Sequence, residues 1–534
     1  MKFSRKYLVI ALLLFPVLFA GGCEIVNPIE GVKAILNTKE RTTSVSLVIL
    51  DTETNKPVGS EIARDVSVKI TGRDADHVID LVNRERSEFT TSDGFLSFAI
   101  KDEVIPDQSL PVEINITARA DDYFTATKKL TLRSDNHHTI KLRMVPKNRD
   151  IEGVSRIHLS AGTIESGVLT EDVIFSTPPS AVNGTRTTVK LRKGTAIETA
   201  DGQPLTGALS ADLYHFTNAA SASLYSFPGG FSGLYEDLSG ELKNVQFVTA
   251  GFINLQIFDQ YGRSAQSFSK PVKIEIETGS NSRDYQGNTV ADGTEVRVWS
   301  MGSDQEDQVW KLEGMETFEQ AQSGLYSTVF ETDHLSWWNT GWSGTTCETG
   351  TVMQMVNNGI RLRAEMFRAS DDMYMGSWDA RTSNEPGIST YIAFEDAPAD
   401  VEVYVNLYDV MDNQVASVTI SDLCAQPTET IDLGHLDTIT VTFIGTGICE
   451  SQGDMEVRPS FPGWHAHEDF MTWISAGTVV NGELEITLPE AARYDFGAYY
   501  EEEFKTYLLD LSGAGDGQVF EETITVPEVY CDGI

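Results

Sequence analysis

Asp65-Val66-Ser67-Val68-Lys69-Ile70-Thr71 alternates strictly: Val66, Val68 and Ile70 face one way, and Ser67, Lys69 and Thr71 the other. A period of two sets one face of an extended strand on an apolar core and turns the other away. Val112 to Ala118 repeats the pattern, and Val45-Ser46-Leu47-Val48-Ile49-Leu50 is a continuous strand-like run. From Ser44 onward the chain continues as such runs broken by turn residues. Val401-Glu402-Val403-Tyr404-Val405, Thr438 to Ile444, Leu484 to Leu488 and Tyr507 to Leu511 are further strands by the same reading. Val309 to Gln322 is the best helix candidate, and Gly314 weakens it. The fold class expected is all-β, as tandem β-sandwich domains. A chain of 534 residues exceeds one core, so roughly three to five domains are expected.

Ahead of these strands, Lys2, Arg5 and Lys6 precede an apolar run from Tyr7 to Ala20. At about 14 residues the run is shorter than the ~20 that span a bilayer. It has the form of a secretory signal ending in small residues, Ala20-Gly21-Gly22, before Cys23. This stretch resembles a bacterial lipoprotein signal, with Ala20 where leucine is usual. The resemblance implies removal of residues 1–22, lipid on Cys23 and a membrane contact through that lipid alone. Glu24 in place of Asp implies the outer membrane, on its periplasmic or extracellular face. Residues 23–43 read as a polar tether.

Three stretches within 44–147 resemble the carboxypeptidase regulatory-like (transthyretin-like) β-sandwich. They are Asp51 to Val58, Thr91-Ser92-Asp93-Gly94-Phe95-Leu96, and Ala118 to Tyr123, with Asp122 where glycine is usual. Asp-Gly supplies the positive φ of a tight hairpin. Residues 151–343 resemble the ZU5 and GAIN-like β-rich domains. The resemblance rests on Gly194 to Gly207, Ser226-Phe227-Pro228-Gly229-Gly230-Phe231, Phe247 to Gly262, Val298-Trp299-Ser300, Val309 to Gly314 and His334-Leu335-Ser336-Trp337-Trp338-Asn339. It implies two β subdomains, about 151–245 and 246–343. Two more sandwiches are expected at 344–432 and 433–534.

The composition is strongly acidic, with 79 Asp and Glu against 40 Lys and Arg and a net charge of −39. Such a surface repels nucleic acid and anionic lipid. Besides Cys23 there are Cys347, Cys424, Cys449 and Cys531. Export favours disulfides. Four cysteines allow three pairings; Cys347–Cys424 with Cys449–Cys531 is favoured, because each pair would staple one C-terminal module.

Candidate chemistry is sparse. In the GAIN-like resemblance a His-Leu-Ser stretch implies self-cleavage of the Leu335–Ser336 bond. Ser336 would be nucleophile and His334 base, and backbone strain would be required. The plainer reading is a last strand, with Trp337 and Trp338 on opposite faces. His465 and His467 share a strand face and could hold a metal, or belong to a surface loop. Trp464 and Trp473 nearby could stack on a glycan if exposed. Asp371-Asp372 and Asp304 to Asp307 are the calcium candidates, without EF-hand spacing. There is no Gly-x-Ser-x-Gly elbow, His-Glu-x-x-His or phosphate loop. The expectation is therefore a non-enzymatic, lipid-anchored surface protein without a cofactor, serving adhesion, binding or envelope architecture. The alternatives are a glycan-binding lipoprotein of an outer-membrane uptake system and a self-cleaving surface protein.

Overall fold

A computed structural model describes residues 35–37 and 41–525, apart from 61–63, 303–308, 322, 383–386, 426–427, 435, 450–454, 471 and 501–502. Residues 1–34, with the signal and Cys23, lie outside this set, as do Asp304 to Asp307 and Cys531. The chain is built of tandem β-sandwiches, and among the described residues no helix is long and apolar enough to cross a membrane.

The first module spans the alternating strands. One sheet runs Val78–Ile79, Phe95–Ile100, Ser44–Asp51, His137–Met144; the other runs Glu88–Thr91, Val66–Thr71, Val112–Arg119, Ala126–Leu132. Val66, Val68 and Ile70 turn inward, onto a core shared with Val45, Leu47, Ile49, Ile114 and Phe98. Ser44–Asp51 is buried on both faces, which explains its unbroken apolar run. At the Asp93-Gly94 turn, Gly94 has φ +81°, and a Cβ there would stand 2.8 Å from the Val58 backbone. The Asp93 carboxylate accepts from the Thr91 hydroxyl at 2.8 Å and the Phe95 N–H at 3.3 Å, which fixes the hairpin.

The second region is one interleaved unit rather than two subdomains. Strand Leu242–Phe258 crosses the expected boundary at 245/246, pairing with Gly207–Thr217 on one side and Trp337–Val356 on the other. Facing this sheet, Ser267–Thr278 pairs with Thr187–Leu191 and Tyr326–His334. The expected boundary at 343/344 is also crossed. Trp337–Val356 is 20 residues long. Its first half pairs with Leu242–Phe258 and Glu295–Met301, and its second half with Thr390–Pro398 and Thr428–Asp432. Trp337 and Trp338 point to opposite faces of this strand, and each fills a different core.

The helix candidate is a strand, Trp310–Thr317. Val298 pairs with Gly314 and Trp299 with Leu312, so Glu313 is an extra residue in a bulge. One inserted residue breaks the two-residue period, and broken alternation imitates a helical one.

In the third module, Met373–Asp379, Arg363–Arg368, Val403–Tyr408 and Gln414–Ile420 form the sheet facing the end of the long strand. A Cys347–Cys424 disulfide, Cα–Cα 5.7 Å, closes that module. The fourth packs Ile474–Val479, Phe461–His467, Arg493–Tyr500 and Glu503–Asp510 on a sheet containing Ile439–Cys449 and Glu483–Leu488. Cys449 is disulfide-bonded. The expected tether is not wholly a tether: Ile35–Asn37 pairs in parallel with Glu456 to Arg458 of the fourth module. The N-terminal segment thus adds an edge strand to the last sandwich.

The modules do not trail one after another, because the first touches all the others. Phe95 stacks on Phe504 at 3.7 Å between centroids and meets Trp464 and Trp473 edge-on at 5.5 and 5.3 Å. The Tyr499 hydroxyl donates to the Thr90 carbonyl at 3.1 Å, and the Phe504 N–H to Asp93 at 2.8 Å. Each aromatic pair adds ~0.5–1.5 kcal/mol beyond the area it buries, so this contact between first and fourth modules is a substantial one. On another side Phe124 meets Tyr214 and Trp337 of the second region, both at 5.0 Å.

Candidate functional site

His334 ends the strand Tyr326–His334, and its ring turns to Asp333 (3.2 Å), the Thr332 hydroxyl (3.3 Å) and Glu313 (3.7 Å). Ser336 is buried in the following connection. Leu335 is held on both sides by Gln266: its N–H donates to the Gln266 carbonyl at 2.9 Å, and its carbonyl accepts from the Gln266 side chain at 3.3 Å. Among the described residues the positive-φ positions other than glycine include none between Tyr326 and Val356. The backbone here is an ordinary strand connection.

His465 and His467 lie not in a surface loop but in the buried strand Phe461–His467. Burial and the nearby Arg361 guanidinium push the His465 imidazole down to about 3. His467 packs on Tyr494 at 5.3 Å, with Glu490 3.6 Å from Nε2. Among the described residues no group of three or more His, Cys, Asp or Glu is placed to hold a metal. Trp464 and Trp473 are buried against the first module, so neither offers a face to a glycan. Their apolar surface is used between modules. Asp371 is held by both ends of the Arg368 guanidinium, at 2.8 and 2.7 Å, and Asp372 accepts from the Tyr404 hydroxyl at 3.0 Å.

The structure gathers polar chemistry elsewhere, in a cavity of about 240 Å³ where the first three modules meet. Ala126–Leu132 and His137–Met144 supply Lys128, Lys129, His138, Lys141 and Arg143. The second module closes the cavity with Tyr225 and the turn Phe227-Pro228-Gly229-Gly230. Gly229 there has φ +77°, and the Gly230 N–H returns to the Phe227 carbonyl at 3.0 Å. The third module supplies Tyr374, Trp378, Asp379 and Arg381. Gly376 lets the Trp378 indole lie flat over the strand, since a Cβ there would come within 2.7 Å of the ring.

The charges within it are unevenly matched. Lys141 Nζ donates to Asp379 at 2.7 Å, with Asp379 only 3% exposed. Burial pushes the Lys141 ammonium down, and Asp379 opposes that shift. Lys129 pairs with Glu113 at 3.3 Å, and Arg133 approaches Asp396 at 3.5 Å. The Arg143 guanidinium lies over the Tyr225 ring at 4.3 Å and donates to Asn55 at 2.8 Å. His138 bonds the Ser134 carbonyl at 3.0 Å; burial, with Arg381 nearby, pushes its ring down to about 3. Burial, and then Arg143, push Lys128 down. Sequence reading passed over these residues. The available signal was the Lys128-Lys129 doublet and the alternating Lys141 and Arg143 in an otherwise acidic chain.

No protein-family description matches the chain, and no curated protein does. Solved structures give weak likenesses, several of them to bacterial pilins. The minor pilin GBS52 of Streptococcus agalactiae is 11% identical over 33% of this chain and 96% of its own, with a TM-score of 0.14. The pilus protein RrgB of Streptococcus pneumoniae is 8% identical over 91% of this chain and 99% of its own, with a TM-score of 0.15. The TIE protein of Bacillus anthracis is 9% identical over 71% of this chain and 76% of its own, with a TM-score of 0.13.

Proposed function

We propose that this chain is a non-enzymatic, surface-displayed β-scaffold serving adhesion or envelope architecture, anchored through lipid on Cys23. The observation that carries the reading is the closure of the sandwiches on one another. The first module packs against the fourth through Phe95, Phe504, Trp464 and Trp473, and against the second through Phe124 and Trp337. A strand shared by the second and third leaves no linker between them. Interfaces packed like domain cores resist relative motion, which suits a load-bearing head better than a hinged enzyme. The signal-like N-terminus and the carboxypeptidase regulatory-like resemblance add support. The acidic surface repels its own kind and keeps displayed copies apart.

The test is made in cells. Metabolic labelling with a fatty acid, surface proteolysis and fractionation are compared for the wild-type chain and Cys23→Ala. Labelling lost in the variant, with the protein released from the membrane fraction, is expected. A chain that carries no lipid and fractionates with soluble cytoplasmic proteins overturns the reading.

A further inference from the structure

We infer that the cavity between the first three modules binds a small anionic ligand, and that the class fitting it is a monosaccharide bearing one carboxylate. The inference goes beyond the scaffold reading and does not depend on the lipid anchor. It begins with charge. In a chain with almost twice as many acids as bases, the lining holds Lys128, Lys129, Lys141, Arg143 and Arg381 against Asp379 and Asp396. The local balance is the reverse of the global one.

Pairing then shows where the excess lies. Lys129 and Lys141 meet Glu113 and Asp379. Arg143 meets an aromatic ring and an amide oxygen but no carboxylate among its described contacts. Lys128 has no hydrogen bond or ion pair among the described residues, and Arg143 is the charged neighbour that acts on it. Lys128 and Arg143 are both half-buried and line the same cavity, where like charges are unfavourable unless an anion joins them. A carboxylate between the Lys128 ammonium and the Arg143 guanidinium supplies the missing charge, and the planar fork of Arg143 suits two carboxylate oxygens.

The remaining wall argues for what the carboxylate is attached to. Tyr225, Tyr374 and Trp378 line the cavity beside these cations, and Tyr225 meets Tyr374 edge-on at 4.7 Å. Aromatic side chains next to charged donors match a ring with apolar C–H faces and a polar rim. A volume of about 240 Å³ lies below the ~300–1,000 Å³ typical of drug-sized ligands, which favours one sugar ring over an oligosaccharide.

The experiment is titration calorimetry on the purified chain, with Trp378-sensitive fluorescence alongside. The probes are glucuronate, glucose and inorganic phosphate. Saturable glucuronate binding is expected, at least ~10-fold tighter than glucose. Lys128→Met should weaken glucuronate by at least ~10-fold, and Lys128→Arg should retain it. Lys128→Met should also keep or raise the melting temperature, because it removes an unpaired enclosed charge. Absence of saturable binding by wild-type protein overturns the site. Glucuronate binding unchanged in a folded Lys128→Met protein overturns the role of Lys128. Phosphate binding as tight as glucuronate overturns the carboxylate-sugar class.

Discussion

Acidification should loosen the junction of the modules well before the carboxylates titrate. Three imidazoles lie there: His137 and His138 on the first module and His465 on the fourth. Each is pushed from 6.5 down to about 3, chiefly by burial. Arg361 and Arg381 of the third module face them and add repulsion to any proton that arrives. His137 also shares a hydrogen bond with Ser44 at 2.9 Å, and His138 with the Ser134 carbonyl. The folded state binds fewer protons than the unfolded one between pH 3 and 6.5, so stability rises with pH there and falls as pH drops through 6.5. A tenfold change in the population of a proton-bound form is worth about 1.4 kcal/mol, so moving from pH 7.5 to 5.5 removes about 1.4 kcal/mol per imidazole and about 4 kcal/mol for the three. The assay is urea unfolding at pH 7.5, 6.5 and 5.5, followed by tryptophan fluorescence. Wild type is compared with His138→Gln and His465→Gln, which keep a side-chain donor and cannot charge. Each variant should flatten the pH dependence by about one imidazole's share. A wild-type midpoint that does not fall by pH 5.5, or variants with the wild-type slope, would refute the assignment.

Gly344→Ala drives a Cβ to within 1.9 Å of the buried Tyr285 ring, whose hydroxyl is tied to the Ala399 carbonyl at 2.9 Å. The cost should be about 1–3 kcal/mol by urea unfolding, and should vanish in a Tyr285→Ala background. Lys141→Met leaves Asp379 buried without its counter-charge and should cost about 3–5 kcal/mol, most of it recovered in a double variant with Asp379→Leu. Replacing Cys347 and Cys424 together by serine opens a link across 77 residues. It should cost about 4.5 kcal/mol in the chain-entropy account, read as a lower melting temperature whose remaining response to reductant is that of the Cys449 disulfide alone.

Much of the fold is legible locally. Strands that bury one face announce themselves by alternation, as Val66–Thr71 does, and Ser44–Asp51 reads as buried on both faces because its apolar run never breaks. What the sequence hides are relations between distant segments. The bulge at Glu313 disguises a strand as a helix. Trp337–Val356 passes through an expected boundary that Gly341 and Gly344 flank, because a glycine does not by itself end a strand and length alone cannot tell which neighbours a strand will serve. Trp464 and Trp473 read as candidates for sugar contact because residue type says nothing of exposure; their cover is Phe95, more than three hundred residues away. The basic cavity is hidden for the same reason, since its cations lie on strands of separate modules in an acidic chain.

The pairing of Ile35–Asn37 with Glu456 to Arg458 also sets how the protein meets mechanical load. Tension arriving from the N-terminal side reaches this three-residue pairing before it reaches the first sandwich. The segments run parallel, so a pull along them shears several hydrogen bonds at once, each with a net worth of ~0.5–1.5 kcal/mol. The first module is held separately, by its aromatic contacts to the fourth. The edge strand is in this sense a weak link in series with a stronger one: under a pull from the N-terminal side its three-residue pairing is expected to part before the aromatic clamp does.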